Sequence, residues 1–441
     1  MHRGKSALFL LQITDLDMNL IEELRWRGLI QDIMPGTEEQ LEKEMTSAYI
    51  GFDPTADSLH IGSLVPILLL VHLQQAGHRP IALVGGATGL IGDPSGKKEE
   101  RKLLSEEDID HNVECIRKQL SQFLDFHSDK NPALLVNNAD WFKNISTIAF
   151  LRDAGKYLTV SYLLSKGFIK DRMAQDQEIS FTEFNYILMQ AYDFMWLYEN
   201  QNCKLQMGGS DQWGNITAGT ELIRKKLRGQ GFAFTCPLIT KADGGKFGKT
   251  ETGNVWLDPV RTTPFQFYQF WLNASDADGE KWIKIFTFLD QSAINLILIE
   301  HKKDAAKRVL QKKLASAITK FVHGEAALAD AITTTEKLFA DQTAPAESLA
   351  VEDLEAMEGV IKIDYPKEKV EAGIDVVTFL AESTIFPSKG EARKLVQGGG
   401  VSINRKKIED IDWKIETTLL LHNKYLLVQK GKKNYYLVKI I

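Results

Sequence analysis

Ala48-Tyr49-Ile50-Gly51-Phe52-Asp53-Pro54-Thr55-Ala56-Asp57-Ser58-Leu59-His60-Ile61-Gly62-Ser63 is the stretch whose reading decides the fold. Residues 48–52 are an apolar run of strand length, 53–60 are a polar loop, and from Ile61 to about Gln75 the spacing predicts an amphipathic helix. Pro66 falls in that helix's first turn, where its missing N–H is harmless. A strand, a polar loop and a helix start together form an anion cradle, because helix N-termini carry unpaired N–H donors and the positive end of a dipole.

Working outward, Ile81–Val84, Leu134–Val136 and Lys204–Met207 read as further strands separated by helical stretches up to about Phe234. Alternation of this kind argues for an α/β fold with a Rossmann-like parallel sheet, whose ligand crevice lies at the C-terminal strand ends. The segment 141–176 is helical and aromatic, with Phe142, Phe150, Tyr157, Tyr162 and Phe168. No proline occurs from Phe265 to Ala344, and helical periodicity persists there, which predicts an α-helical domain over 265–344. Around Pro345 and Pro366 the text turns acidic and loop-like, so 345–373 reads as a linker. From Ile374 to the end the pattern is helix, helix, tight turn and β-hairpin, a small α+β module. Residues 1–17 read as a disordered extension, a mis-assigned start upstream of Met18.

Composition bounds the function. The chain has 441 residues, 44% hydrophobic and 25% charged, enough for several cores, and its net charge of −6 excludes a uniformly basic nucleic-acid binder. The three cysteines, Cys115, Cys203 and Cys236, are scattered and show no C-x-x-C pair, which argues against a disulfide framework or a cysteine zinc site and fits a reducing cytoplasm. No apolar run reaches the length of a membrane span.

The second informative segment is Lys246-Phe247-Gly248-Lys249-Thr250. It is not a Walker loop, because Asp243 stands where that motif demands glycine, and Gly86, Gly89 and Gly92 do not match the dinucleotide fingerprint. Taken with His60-Ile61-Gly62-Ser63, and with Gly85–Ser95 and Gly208–Asn215 between, it resembles the paired nucleotide motifs of class I aminoacyl-tRNA synthetases of the bacterial tyrosyl type. The likeness spans the chain from about Met18 and is strongest from Tyr49 to Thr250. Ser63 replaces a common histidine, and KFGKT replaces KMSKS.

That resemblance implies a nucleotide- and tyrosine-binding catalytic domain over 18–264, with the insertion at 141–176 at a homodimer interface, and an anticodon-side role for 265–344. It implies activation of L-tyrosine by ATP with Mg2+ and no protein metal cage, then transfer to tRNA. Thr55, His60, Lys246 and Lys249 would act on the phosphates, and Gly51, Asp53, Gly62, Ser63, Gly209 and Asp211 would line the nucleotide. Tyr49 and Asp193 would hold the phenolic hydroxyl, Tyr186, Gln190 and Asp93 the ammonium, and Gln212 the carboxylate; 186, 190 and 193 share one helix face. The tail resembles a small RNA-binding module, for which Arg393, Lys394, Arg405, Lys406 and Lys407 are the phosphate-contact candidates. A tryptophan-charging relative, a catalytically retired RNA binder and a free nucleotidylyltransferase compete with this expectation. Asp193 beside Tyr49, the complete motif set, and the helical domain with its basic tail argue against each in turn.

Overall fold

In the computed structural model, which describes residues 19–95, 103–176, 178–242, 244–245, 247–250, 253–339, 345–355, 357, 360–431 and 434–441, the apolar run near the N-terminus becomes a central strand. The sheet contains β1 (Asp32–Ile33), β2 (Ser47–Phe52), β3 (Arg79–Val84), β4 (Leu134–Asn137), β5 (Cys203–Gly209) and β6 (Phe232–Cys236), in the order β1-β6-β5-β2-β3-β4. All neighbours are parallel except the antiparallel edge strand β1, so the sheet is mixed and not purely parallel. The chain runs outward through β3 and β4, then returns to the other side of β2 as β5. That reversal makes the C-terminal ends of β2 and β5 the switch point where ligands bind in such sheets.

The predicted helix over 61–75 is a 3-10 turn, Ile61–Ser63, leading into an α-helix, Leu64–Gln75, with Pro66 in its first turn. It is not amphipathic. Residues Leu64, Val65 and Ile67–Leu73 are all buried, because the helix is covered by the sheet on one side and by the helix Asp276–Phe286 on the other. Across the opposite face of the sheet lies the helix Phe181–Gln201, opened by a Ser180–Glu183 capping box and packed beside the helix Trp213–Leu222.

The chain divides into two compact units. One takes in the chain to Asp258 together with Ser275–Lys303, and the second comprises Pro259–Ala274 and Asp304–Ile441. The helical stretch expected to form one domain over 265–344 is therefore shared between them. Its middle joins the first unit because Phe247 packs on Trp282 and Phe286, and because buried Arg27 donates to the carbonyls of Lys284, Thr287 and Leu289. Two-residue strands β7 (Lys249–Thr250) and β8 (Gly253–Asn254) form a small hairpin in that first unit.

In the second unit the helix Pro264–Leu272 packs along Val309–Phe339, which is kinked at Gly324 (φ 86°). Beyond them come β9 (Ile361–Tyr365), β10 (Ile374–Asp375), β11 (Val401–Ile403), β12 (Lys406–Ile408), β13 (Lys414–Ile415), β14 (Tyr425–Lys430) and β15 (Asn434–Ile440). Five of these form a sheet ordered β12-β11-β14-β15-β9, with β9 parallel to β15. The helices Val376–Glu382 and Lys389–Gln397 bury Phe379, Leu380 and Val396 in a core shared with Val401, Leu426 and Val438. The expected linker 345–373 thus contributes β9 to this sheet, and the module begins earlier than the expected start at Ile374. Among the described residues no helix is long and apolar enough to cross a membrane. Residues 1–17 and Lys246 lie outside the described residues.

Candidate active site

The His60 turn and residues 247–250 of the second motif lie side by side in the first unit. His60 caps the 3-10 turn by accepting the Gly62 N–H on Nδ1 at 3.0 Å, which leaves Nε2 of the neutral ring as its donor. The segment 59–61 pairs with 255–257: Ile61 N donates to Val255 O at 2.9 Å and Leu257 N to Leu59 O at 2.8 Å. Gly248 (φ 81°) lies directly against this turn, where a Cβ would sit 3.0 Å from Ile61 Cγ1, so only glycine fits both the backbone and the space. Thr55, Gly51 and His60 are exposed, while Gly62 and Ser63 are half-buried. Lys249 lies in β7, one strand of the two-residue hairpin.

Deeper in, a polar network runs between the sheet and the helix Phe181–Gln201. Asp193 is 2% exposed and accepts from Trp141 Nε1 at 2.8 Å and Asn138 Nδ2 at 3.1 Å. Burial pushes its pKa up to about 8, although both donors pull it down. Tyr49, 1% exposed on β2 and 5.4 Å from the Phe194 ring, has a hydroxyl with no hydrogen-bond partner among the described residues. Its pKa is raised by burial and by the nearby Asp193. A buried hydroxyl left unpaired costs free energy on the order of 1–3 kcal/mol, which a polar ligand atom at that position would recover.

At the other end, Tyr186 donates its phenolic proton to Asp53 Oδ2 at 2.7 Å, and Thr88 Oγ1 donates to Asp53 Oδ1 at 2.8 Å. Asp53, assigned from sequence to the nucleotide, is thus engaged on both oxygens by Tyr186 and Thr88. Gly85 leaves room for this, since a Cβ there would overlap Asp53 and Thr88. Gln212 Nε2 donates to Asp93 Oδ2 at 2.7 Å, and Asn215 Nδ2 lies 3.0 Å from Gln190 Oε1 and 3.2 Å from Gln212 Oε1. Tyr49, Asp193, Tyr186, Gln190, Asp93 and Gln212 are therefore joined in one region. Asp53 and Asp93 both add to the burial that raises the pKa of Tyr186.

Asp211 lies in a 3-10 turn directly after β5. The walls around it and the Asp93 carboxylate raise its pKa even though its side chain reaches solvent. A Cβ at Gly209 would come within 2.6 Å of Asp211 Oδ1 and 3.3 Å of exposed Leu238. Among the described residues no group of three or more His, Cys, Asp or Glu side chains could hold a metal.

Sequence reasoning missed Asn138, Trp141, Thr88, Asn215 and Leu238. The quoted segments did contain Thr88 and Asn215, but nothing local marks a buried Asn or Trp as the partner of a carboxylate more than fifty positions away. In the tail, Arg393 and Lys394 project from the helix Lys389–Gln397 and are exposed, as are Lys406 and Lys407 on β12. Arg405 is half-buried and donates to Lys337 O at 3.2 Å, and Lys407 pairs with Glu409 at 2.6 Å.

A family model described as class I tRNA synthetases (W and Y) matches residues 41–340, and another described as the tyrosine–tRNA ligase SYY-like C-terminal domain matches 356–438. The tyrosine–tRNA ligase of Parabacteroides distasonis is 56% identical over 427 residues, covering 96% of this chain and 99% of that one. That of Porphyromonas gingivalis is 56% identical over 429 residues. Among solved structures, a C-terminally truncated mitochondrial tyrosyl-tRNA synthetase from Aspergillus nidulans superposes with a TM-score of 0.66 at 29% identity, covering 73% of this chain and 94% of that one. The chain belongs to the tyrosine–tRNA ligases of the class I synthetase family.

Proposed function

We propose that this chain joins L-tyrosine to ATP, releasing pyrophosphate, and then passes the tyrosyl group to the 3′ end of its tRNA. The observation that carries the reading is the buried neighbours Tyr49 and Asp193, one hydroxyl unpartnered among the described residues and one carboxyl raised to about 8. A phenolic O–H can donate to Asp193 and accept from Tyr49, satisfying both. An ammonium fits the opposite end, where Tyr186, Gln190 and Asp93 present oxygen atoms.

The chemistry needs no protein nucleophile. The tyrosine carboxylate attacks the α-phosphorus, a C–O–P bond forms, and the electron pair of the broken P–O bond leaves with pyrophosphate. The ribose hydroxyl of the tRNA then attacks the acyl carbon and AMP departs. Catalysis is positioning and charge stabilisation. His60 supplies an Nε2 donor and Thr55 a hydroxyl at the crevice mouth, and Lys246 and Lys249 add positive charge for the departing pyrophosphate. Gly51, Gly62, Ser63 and Gly209 let phosphate and ribose approach the backbone, Asp211 holds the ribose, and Leu238 offers an apolar surface to the adenine. Magnesium travelling with ATP would be held through phosphate oxygens and water.

The tail carries tRNA, with Arg393, Lys394, Lys406 and Lys407 as phosphate contacts and Arg405 partly committed to Lys337. We place the protein in the cytoplasm, consistent with its free thiols. We also assign it a homodimer through the segment 141–176 and the adjoining helix start, because Ile148, Leu151, Val160, Met173 and Phe181 are exposed there. Charging assays with the full chain, ATP, tyrosine and tyrosine tRNA test this reading. Formation of tyrosyl-tRNA is expected, and adenylate formation with no transfer to any tRNA would refute the second step.

A further inference from the structure

The network between the two ends of the pocket has a fixed direction, and Thr88 stands at its centre. Asn138, 0% exposed, accepts the Ala87 backbone N–H on Oδ1 at 2.7 Å, which settles which end of its amide is oxygen. Its two N–H bonds then run to Thr88 Oγ1 at 3.0 Å and to Asp193 Oδ2 at 3.1 Å. Because the Thr88 oxygen is already accepting, its single proton goes to Asp53 Oδ1 at 2.8 Å. Asp53 Oδ2 in turn takes the Tyr186 proton at 2.7 Å. Tyr186, able in principle to donate or accept, is left facing the pocket with lone pairs only. Asp193 has a donor on each oxygen and, when ionised, is left as an acceptor.

We propose that Thr88 is a positioning residue for amino-acid activation: its hydroxyl, held as a donor by Asn138, orients the Asp53 carboxylate that takes the Tyr186 proton. The Tyr186 end is then set to receive an ammonium. A buried threonine with both hydrogen bonds satisfied is ordinarily only packing. Here, however, its partners are two groups that each orient a pocket wall, and Gly85 is held side-chain-free against it. The inference rests on the tyrosine reading above.

The test is ATP–pyrophosphate exchange by the full chain with Thr88→Val, which keeps the volume and removes the hydroxyl, and with Thr88→Ser, which restores it. KM for tyrosine should rise about tenfold or more in Thr88→Val while KM for ATP stays within about twofold, and Thr88→Ser should recover most of the loss. Both Thr88→Val and Tyr186→Phe break the same chain, so the double variant should lie within about threefold of the worse single. Should Thr88→Val not fold, Thr88→Cys, similar in size with a weak donor, is read the same way. An unchanged KM for tyrosine, equal losses toward ATP, or multiplying effects with Tyr186→Phe would overturn the proposal. Wild type measured alongside separates the cases: wild type inactive with tyrosine defeats the functional reading, whereas wild type active and Thr88→Val indistinguishable from it defeats only the role of Thr88.

Discussion

Trp141 Nε1 donates to Asp193 Oδ1 at 2.8 Å, both side chains being buried between the sheet and the helix Phe181–Gln201. The indole holds the carboxylate against the unpartnered Tyr49 hydroxyl's end of the pocket, and it offers only a donor. When ionised the carboxylate acts as an acceptor, which suits a ligand bearing O–H and gives phenylalanine nothing to satisfy.

Tyr49→Phe and Asp193→Asn should each lower the preference for tyrosine over phenylalanine. One hydrogen bond to a buried hydroxyl is worth about 0.5–3 kcal/mol, the larger figure applying to the charged partner, so Asp193→Asn should cost more. The ratio of kcat/KM for the two amino acids in pyrophosphate exchange measures this. Unchanged ratios in both variants would remove the pair from the specificity pocket.

The raised pKa of Asp193 predicts a pH signature. Burial lifts it from 3.8 to about 8, so between those values the folded protein keeps a proton that the unfolded chain gives up. This contribution to ligand-free stability is full below about 4 and is lost as pH rises through about 8. A phenolic donor favours the ionised form, so binding should release a proton near neutrality. In thermal denaturation from pH 6 to 9, the upward shift in Tm caused by tyrosine should grow with pH. A shift that stays flat would show that Asp193 does not meet the ligand.

How much of this was legible in sequence depends on whether a residue's role is set locally or by a distant partner. Strands β2 to β5 were readable because each is a bounded apolar run, and 186, 190 and 193 were readable as one face because helical spacing places them so. The antiparallel edge β1 was not, since two residues carry no periodicity and are fixed only by pairing with Phe234 and Thr235. The helix Leu64–Gln75 was misread as amphipathic because its second covering element comes from residues 276–286, far along the chain. β9 was hidden in acidic text because it is a sheet edge with mostly exposed side chains. Asp53 carries a motif position, yet its partners Thr88 and Tyr186 are known only once the chain has folded.

Lys249→Ala should slow adenylate formation by about tenfold or more while changing tyrosine affinity little, because the charge acts on pyrophosphate as it leaves. Single-turnover rates beside equilibrium tyrosine titration separate the two. Parallel losses would make the hairpin structural.

Removing the tail after Phe339, so that β9 leaves with the sheet it belongs to, should spare pyrophosphate exchange and sharply weaken tRNA charging. The salt dependence of tRNA affinity should also flatten, since each lost phosphate contact removes a counterion released on binding. Equal slopes for the two forms would leave the exposed Arg393, Lys394, Lys406 and Lys407 as solvated surface.

The most direct test of the central claim is amino-acid-dependent ATP–pyrophosphate exchange by the purified full chain, run with tyrosine, phenylalanine and tryptophan at matched concentrations. The pocket of Tyr49, Asp193, Tyr186 and Gln190 predicts rapid exchange with tyrosine and little or none with the other two. Exchange driven equally by phenylalanine or tryptophan, or absent with tyrosine, would contradict it.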